Sequence, residues 1–209
     1  GLHAPGSGTA AALNGLIACT LLRTGISLCR DRASKVDRLR IALPALNKFE
    51  GQIVSTIEPF LMAAVQADAE QFDRVFQTRR KRDAEIDPAN RQFYAEKELL
   101  ELFGATELPL EIARHCITLA EQGLDVFDRG FQAARGDSGV AIAAAVSAAL
   151  GALSIVYLNL QKFSSEPWKS KAQQIRESAD SMFNRASTLQ QALRNRVLKL
   201  QREGTESPQ

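Results

Sequence analysis

Two short segments hold residues whose types and spacing could do chemistry. In Arg135-Gly136-Asp137-Ser138-Gly139-Val140-Ala141, a carboxylate opens a long uncharged stretch from Ser138 to Leu160. Free N–H groups and the positive end of a helix dipole favour a carboxylate at such a start. Asp137 is therefore either an ordinary helix cap or a general base or electrostatic stabiliser at the mouth of a pocket. The second segment is Ala4-Pro5-Gly6-Ser7-Gly8-Thr9-Ala10-Ala11-Ala12-Leu13, a glycine-containing turn feeding an apolar helix. Its exposed N–H groups would suit an anion, and Ser7 and Thr9 add hydroxyls. The plainer reading is again a cap. No Gly-Lys-Ser/Thr follows, so the turn is not a Walker loop, and no strand pattern precedes it, which leaves a dinucleotide fold unsupported. Asn159 is an amide among Val156, Leu158 and Leu160; buried, it must be a structural hydrogen-bond hub or a substrate contact.

Other chemistry-bearing residues are scattered. Cys19, Cys29 and Cys116 are odd in number and lack CxxC spacing, which fits neither a disulfide framework nor a zinc site. They read as reduced core or near-surface residues, which favours a cytoplasmic setting. His3 is terminal and His115 is solitary. No set of metal ligands converges at helical spacing, so no metal is expected.

The elements that must position these residues are helices. The chain has 209 residues, 45% hydrophobic and 24% charged, enough for a substantial core. Basic residues number 26 and acidic ones 24, and a net charge of +2 argues against a broad electrostatic grip on nucleic acid or anionic membrane. Helical spacing is seen nearly everywhere, with little strict alternation. The pattern predicts a first helix from about Thr9 to Cys29, apolar on more than one face and so surrounded by protein. A second helical region covers 34–81, kinked or divided by Pro44, Gly51 and Pro59. Asp87-Pro88 marks a break. A third helix covers 89–102 with Phe93, Leu99 and Leu100 inward. Gly104 ends it, and Pro109 sits in the first turn of a fourth that runs to about Ala133. The Ala-rich helix follows the turn at 136–139, and a last amphipathic helix spans about 167–202.

Ser138–Leu160 is long enough to span a bilayer. It is dominated by Ala, Ser and Gly, which give lipid little apolar area and let helix backbones approach closely. The preferred reading is a central helix of a bundle. The expected architecture is all-α: a single-domain helical bundle over residues 1–203 with two buried Ala-rich helices, followed by a disordered tail at 204–209. No signal peptide is evident, since no charged segment leads into an apolar run at the start.

Taken in order, several segments resemble one family. The Gly6-Ser7-Gly8-Thr9 turn with its Ala-rich helix is similar to the Pro-Gly-Gly-Gly-Ser turn of the cyclodeaminase domain of formiminotransferase-cyclodeaminase and the related methenyltetrahydrofolate cyclohydrolases. Asp137-Ser138-Gly139-Val140-Ala141 resembles that family's Ser-Asp-x-Gly-Val-Ala. Gly151-Ala152-Leu153 with Asn159-Leu160 matches its Gly-Ala-Leu…Asn-Leu ending. Asp68-Ala69-Glu70-Gln71-Phe72-Asp73-Arg74-Val75 is similar to Asp-Ala-x-Ala-Phe-x-x-Val, and Ala105-Thr106-Glu107-Leu108-Pro109-Leu110-Glu111-Ile112-Ala113 to Ala-x-x-Val-Pro-Leu-x-Ile-Ala. The resemblance covers about 5–165. Ser7 interrupts the glycine triplet, Gly136 stands where the family has Ser, and Phe131–Arg135 replaces a segment usually holding Asn, so the chain resembles a divergent member.

The resemblance implies a homodimer and folate-dependent one-carbon chemistry. The reaction would be hydrolysis of a methenyltetrahydrofolate (a hydrolase), cyclodeamination of a formimino-tetrahydrofolate (a lyase), or either reaction on a related amidine. On this reading a tetrahydrofolate derivative is the ligand. Asp137 is the acid/base, Gly6, Ser7, Gly8 and Thr9 hold an anionic or carbonyl group, and Ser138, Asn159 and Asp68 are further ligand contacts. The basic run Arg79-Arg80-Lys81-Arg82 is a solvated helix end, a polyglutamate contact or a weak nucleic-acid patch. No nucleic-acid or membrane partner is expected. The alternative is a non-catalytic helical dimer of the same fold acting as a binding or scaffolding module. A pocket joining Asp137 to the Gly6–Thr9 turn favours the enzyme; a pocket filled by side chains favours the module.

Overall fold

The computed structural model describes residues 6–206. Helices α1 (Ser7–Arg32), α2 (Asp37–Gln52), α3 (Glu58–Ala84), α4 (Pro88–Arg129), α5 (Arg135–Leu160) and α6 (Trp168–Glu206) form the bundle, and no strand occurs among the described residues. The expected all-α class is what the structure shows. The expected tail at 204–209 falls partly on α6, which continues to Glu206, and partly on residues 207–209, outside the described residues.

Proline governs several helix boundaries, though not always where the sequence predicts. Between α2 and α3 lies a π turn, Ile53–Ile57, in which the Glu58 N–H bonds back to the Ile53 carbonyl, five residues earlier. This wider register falls where Pro59 withdraws its N–H, so the chain passes from α2 to α3 without a break. Pro44 lies inside α2, which continues through it. At Asp87-Pro88 the predicted break is real. The Asp87 carboxylate accepts from Ala89 N at 3.1 Å, and Pro88 takes the first helical position. Gly104 and Pro109, in contrast, do not end one helix and begin another. Both lie inside α4, which runs unbroken for 42 residues. Phe93 and Leu100, expected inward, are 60% and 61% exposed.

The core forms where α1, α3, α4 and α5 pack along one another. Thr9 meets Asp68 and Arg23 meets Glu58, so α1 and α3 run antiparallel. Phe60 lies against His115 and Arg79 against Glu98, which sets α3 antiparallel to α4. Gly25 lies beside Ser138, and Ser7 shares a cavity with Asn159, so α1 and α5 also run antiparallel. Close approach explains the small residues. A Cβ on Gly123 of α4 would lie 2.8 Å from Ile142 Cγ1 of α5, and Ala141, Ala145, Ala149 and Ala152 of α5 are all buried. The long α6 crosses the outside of α4 and α5. It is held by Arg185–Glu121, by Arg196–Asp128, and by the Tyr157 hydroxyl donating to Asp180 at 2.6 Å.

α1 and the stretch Gln132–Leu160 are both long and apolar enough to cross a membrane by length and composition. Each packs one face into the bundle and leaves the other open. Leu13 and Ile17 on α1, and Val140 and Leu158 on α5, are exposed. α1 is therefore not surrounded by protein within one chain, contrary to the sequence expectation.

Candidate functional site

The start of α1, the middle of α3 and the end of α5 enclose a cavity of about 350 Å³. Gly6 and Ser7 line it from α1, and Ile155, Leu158 and Asn159 from α5. α3 contributes Asp68, Phe72, Val75, Phe76 and Arg79, and Leu102 and Ala105 of α4 close the floor. The α3 residues recur at helical spacing, so one face of that helix forms the long wall.

Asp68 organises the polar end. Its Oδ2 accepts from Thr9 N at 2.7 Å and from the Thr9 hydroxyl at 3.0 Å, and the same hydroxyl lies 3.2 Å from the Val65 carbonyl. The N-terminus of α1 has no cap from its own N-cap residue, Gly6. A carboxylate from α3 supplies that cap across the bundle, where the helix dipole favours negative charge. The anion expected at the Gly6–Thr9 turn is thus one the chain carries itself. Glycine is required by proximity, since a Cβ on Gly8 would fall 2.1 Å from Asp68 Oδ1.

Asn159 has an equally local reason to be there. Its Nδ2 donates to the Ala105 carbonyl at 3.3 Å. In a regular helix that carbonyl would accept from residue 109, but residue 109 is proline and has no N–H. The amide therefore satisfies an oxygen that α4 orphans, while Asn159 also lines the cavity.

Of the sequence candidates, Gly6, Ser7, Gly8, Thr9, Asp68 and Asn159 come together. Asp137 and Ser138 do not join them in this chain. They occupy the first turn of α5, and Asn159 lies near its last, about 33 Å away at ~1.5 Å per residue. Asp137 is exposed there. Ser138 is buried and donates to the Ala134 carbonyl at 3.1 Å, beside Gly25 near the far end of α1. In the sequence Phe72 stands only within the 68–75 segment and Arg79 only within a basic run, and neither is marked as the cavity lining that it is. The signal was present: Asp68, Phe72, Val75, Phe76 and Arg79 form a helical stripe with a charged residue at each end, unlike a core stripe.

None of the cysteines is placed for nucleophilic work. All three are free and buried. Burial pushes the Cys19 thiol up to about 12 and raises Cys29 and Cys116 as well. Burial also lowers the imidazole of His115, packed 4.5 Å from the Phe60 ring. Among the described residues, no three His, Cys, Asp or Glu side chains group as they would around a metal ion. His3 lies outside the described residues.

An all-helical bundle with a polar-ended cavity is the class that fold and site define. Comparison with known proteins gives the family. The family model described as formiminotransferase-cyclodeaminase matches residues 2–181, and the chain belongs to that family. Among solved structures, the chain is similar to the crystal structure of formiminotetrahydrofolate cyclodeaminase from Thermotoga maritima. The TM-score is 0.66 at 16% sequence identity, covering 91% of this chain and 90% of that one. No curated protein matches the chain by sequence.

Proposed function

We propose that the cavity binds a tetrahydrofolate derivative and that the chain acts on its one-carbon unit. The reaction would be cyclodeamination of a formimino group or hydrolysis of a methenyl bridge. Membership of the formiminotransferase-cyclodeaminase family supports this reading. The observation that carries it to particular residues is the cavity that Asp68, Ser7 and Asn159 all line.

Both reactions pass through a tetrahedral carbon between two nitrogens. In cyclodeamination, one folate nitrogen attacks the formimino carbon of the other, and ammonia leaves with the proton it needs. In hydrolysis, water adds to the methenyl carbon, gives up a proton, and one C–N bond breaks to leave a formyl group. A carboxylate can stabilise the amidinium cation and carry these protons, typically for ~10²–10⁴-fold in rate. Within the chain Asp68 is the carboxylate at hand, in place of the Asp137 that the motif suggested. Asn159 Oδ1 and the Ser7 hydroxyl would orient the ring system. The homodimer implied by the resemblance is part of this proposal, and in it Asp137 would act only as a residue of another copy.

A second reading has its own support. Asp68 is already engaged in capping α1, which suits a binding module of the same fold that holds a ligand without turning it over.

The test is to follow 5-formimino- and 5,10-methenyltetrahydrofolate by absorbance and ammonia release, with wild type, Asp68→Asn, Asp137→Asn and buffer. Sedimentation velocity on the same samples reads the oligomer. Turnover lowered at least 100-fold by Asp68→Asn supports the enzyme and its carboxylate. Loss on Asp137→Asn instead moves the acid/base to the α5 start of a second copy. Binding without turnover supports the module, and absence of both sinks the folate reading.

A further inference from the structure

The far end of the cavity has a chemistry of its own. From Asp68 to Arg79 the α3 wall runs about 16 Å at ~1.5 Å per residue. Between them stand the Phe72 and Phe76 rings, stacked with centroids 6.4 Å apart. The cavity therefore passes from a carboxylate and an amide, over flat aromatic surface, to a guanidinium.

Arg79 is fixed in place and short of an anion. Glu98 of α4 is 7% exposed. Its Oε1 accepts from Arg79 Nε at 2.9 Å, and its Oε2 from Arg82. One buried carboxylate thus serves two guanidiniums. Arg82 has a second anion in Asp83, to which it donates at 2.7 and 2.9 Å. Arg79 has no second anion among the described residues, and it is Arg79 that lines the cavity. With Nε spent on Glu98, the terminal N–H groups of the fork remain, in the geometry that takes a carboxylate in two parallel bonds.

We propose that Arg79, positioned by Glu98, anchors a carboxylate at the end of the ligand remote from the reacting centre. The site then takes an elongated ligand with an N–H-rich or cationic head at Asp68, a flat middle over Phe72 and Phe76, and an anionic tail at Arg79. Of the basic run 79–82, only Arg79 has this role. The inference rests on the folate reading of the cavity, since folates carry a glutamate remote from the one-carbon unit.

Isothermal titration with two probes tests it: 5,10-methenyltetrahydrofolate, and a tetrahydropterin lacking the aminobenzoyl-glutamate arm. Each is titrated into wild type, Arg79→Met and Arg79→Lys, with circular dichroism melts to compare folding. Arg79→Met weakens binding of the full folate about 10- to 100-fold, the loss of a charge-assisted pair. Arg79→Lys, which keeps the charge and loses the fork, falls between. Both variants bind the truncated pterin as wild type does. Where turnover is measurable, KM rises and kcat holds. Unchanged folate affinity in Arg79→Met overturns the anchor while leaving the folate reading intact, and an equal loss for both probes assigns Arg79 a structural role. Wild type that binds neither probe ends the folate reading and the anchor with it.

Discussion

At Gly8 there is no room for a side chain, because the Asp68 carboxylate occupies the space. This contact joins the first turn of α1 to the middle of α3, and it gives the glycine turn a meaning that composition alone does not. Substituting Gly8→Ala sets a Cβ 2.6 Å from Asp68 Cγ, so cap and helix must part. A loss of about 1–3 kcal/mol is expected. In a chain of this size that lowers Tm by roughly 2–12 °C. Gly51→Ala is the contrasting case. Nothing lies within 4 Å of the new methyl on α2, and removing glycine flexibility gains about 0.5–1 kcal/mol. Thermal melts of the two variants should therefore move in opposite directions.

Between elements, the same logic connects Pro109 to Asn159. The proline leaves an unpaired carbonyl at Ala105 in the middle of α4, and the amide at the end of α5 pairs with it. Asn159→Ala should cost about 1–3 kcal/mol, the penalty of an unsatisfied part-buried oxygen. Pro109→Ala returns an N–H to α4 and should remove most of that penalty. A double-mutant cycle by urea unfolding reads the coupling directly; additive losses would mean the two residues act independently. The pairing also explains how a helix of 42 residues carries an internal proline while presenting Ala105 and Asn159 side by side in the cavity.

For the molecule as a whole, buried titratable groups set the pH limits of stability. Burial lowers the folded His115 below its ordinary value of 6.5. The unfolded chain therefore takes up that proton first, and stability falls as pH drops below about 6.5 toward the folded value. His115→Gln should flatten this acid limb. On the alkaline side the sign reverses. The unfolded Cys19 thiol ionises near 9.0 and the folded one only at about 12. Its contribution is complete below pH 9.0 and is lost as pH rises toward 12. Cys19→Ala should flatten that limb. Denaturant midpoints measured from pH 5 to pH 11 check both. The open, uncharged faces of α1 and α5 are the surface on which the proposed homodimer would draw.

Read along the chain alone, the residues specify the class of fold and part of the cavity lining. Apolar spacing near 3.6 with scarce alternation points to helices, and Asp87-Pro88 starts α4 by local chemistry alone. The Gly6–Thr9 turn, Asp68 and Asn159 were legible as unusual residues in an apolar context. Tertiary structure decided what each of them does. Whether Pro109 interrupts a helix depends on whether packing supplies the missing hydrogen bond, and Asn159, 50 residues on, supplies it. Whether an anion site at a helix start is vacant depends on what stands opposite, and Asp68 stands there. Asp137 and Asn159 share one helix and one motif region, yet a rigid helix holds its two ends apart, so only one of them reaches the cavity. Arg79 was hidden among three other basic residues because charge runs look alike along the chain. Only its place on the cavity wall, beside a Glu98 shared with Arg82, singles it out.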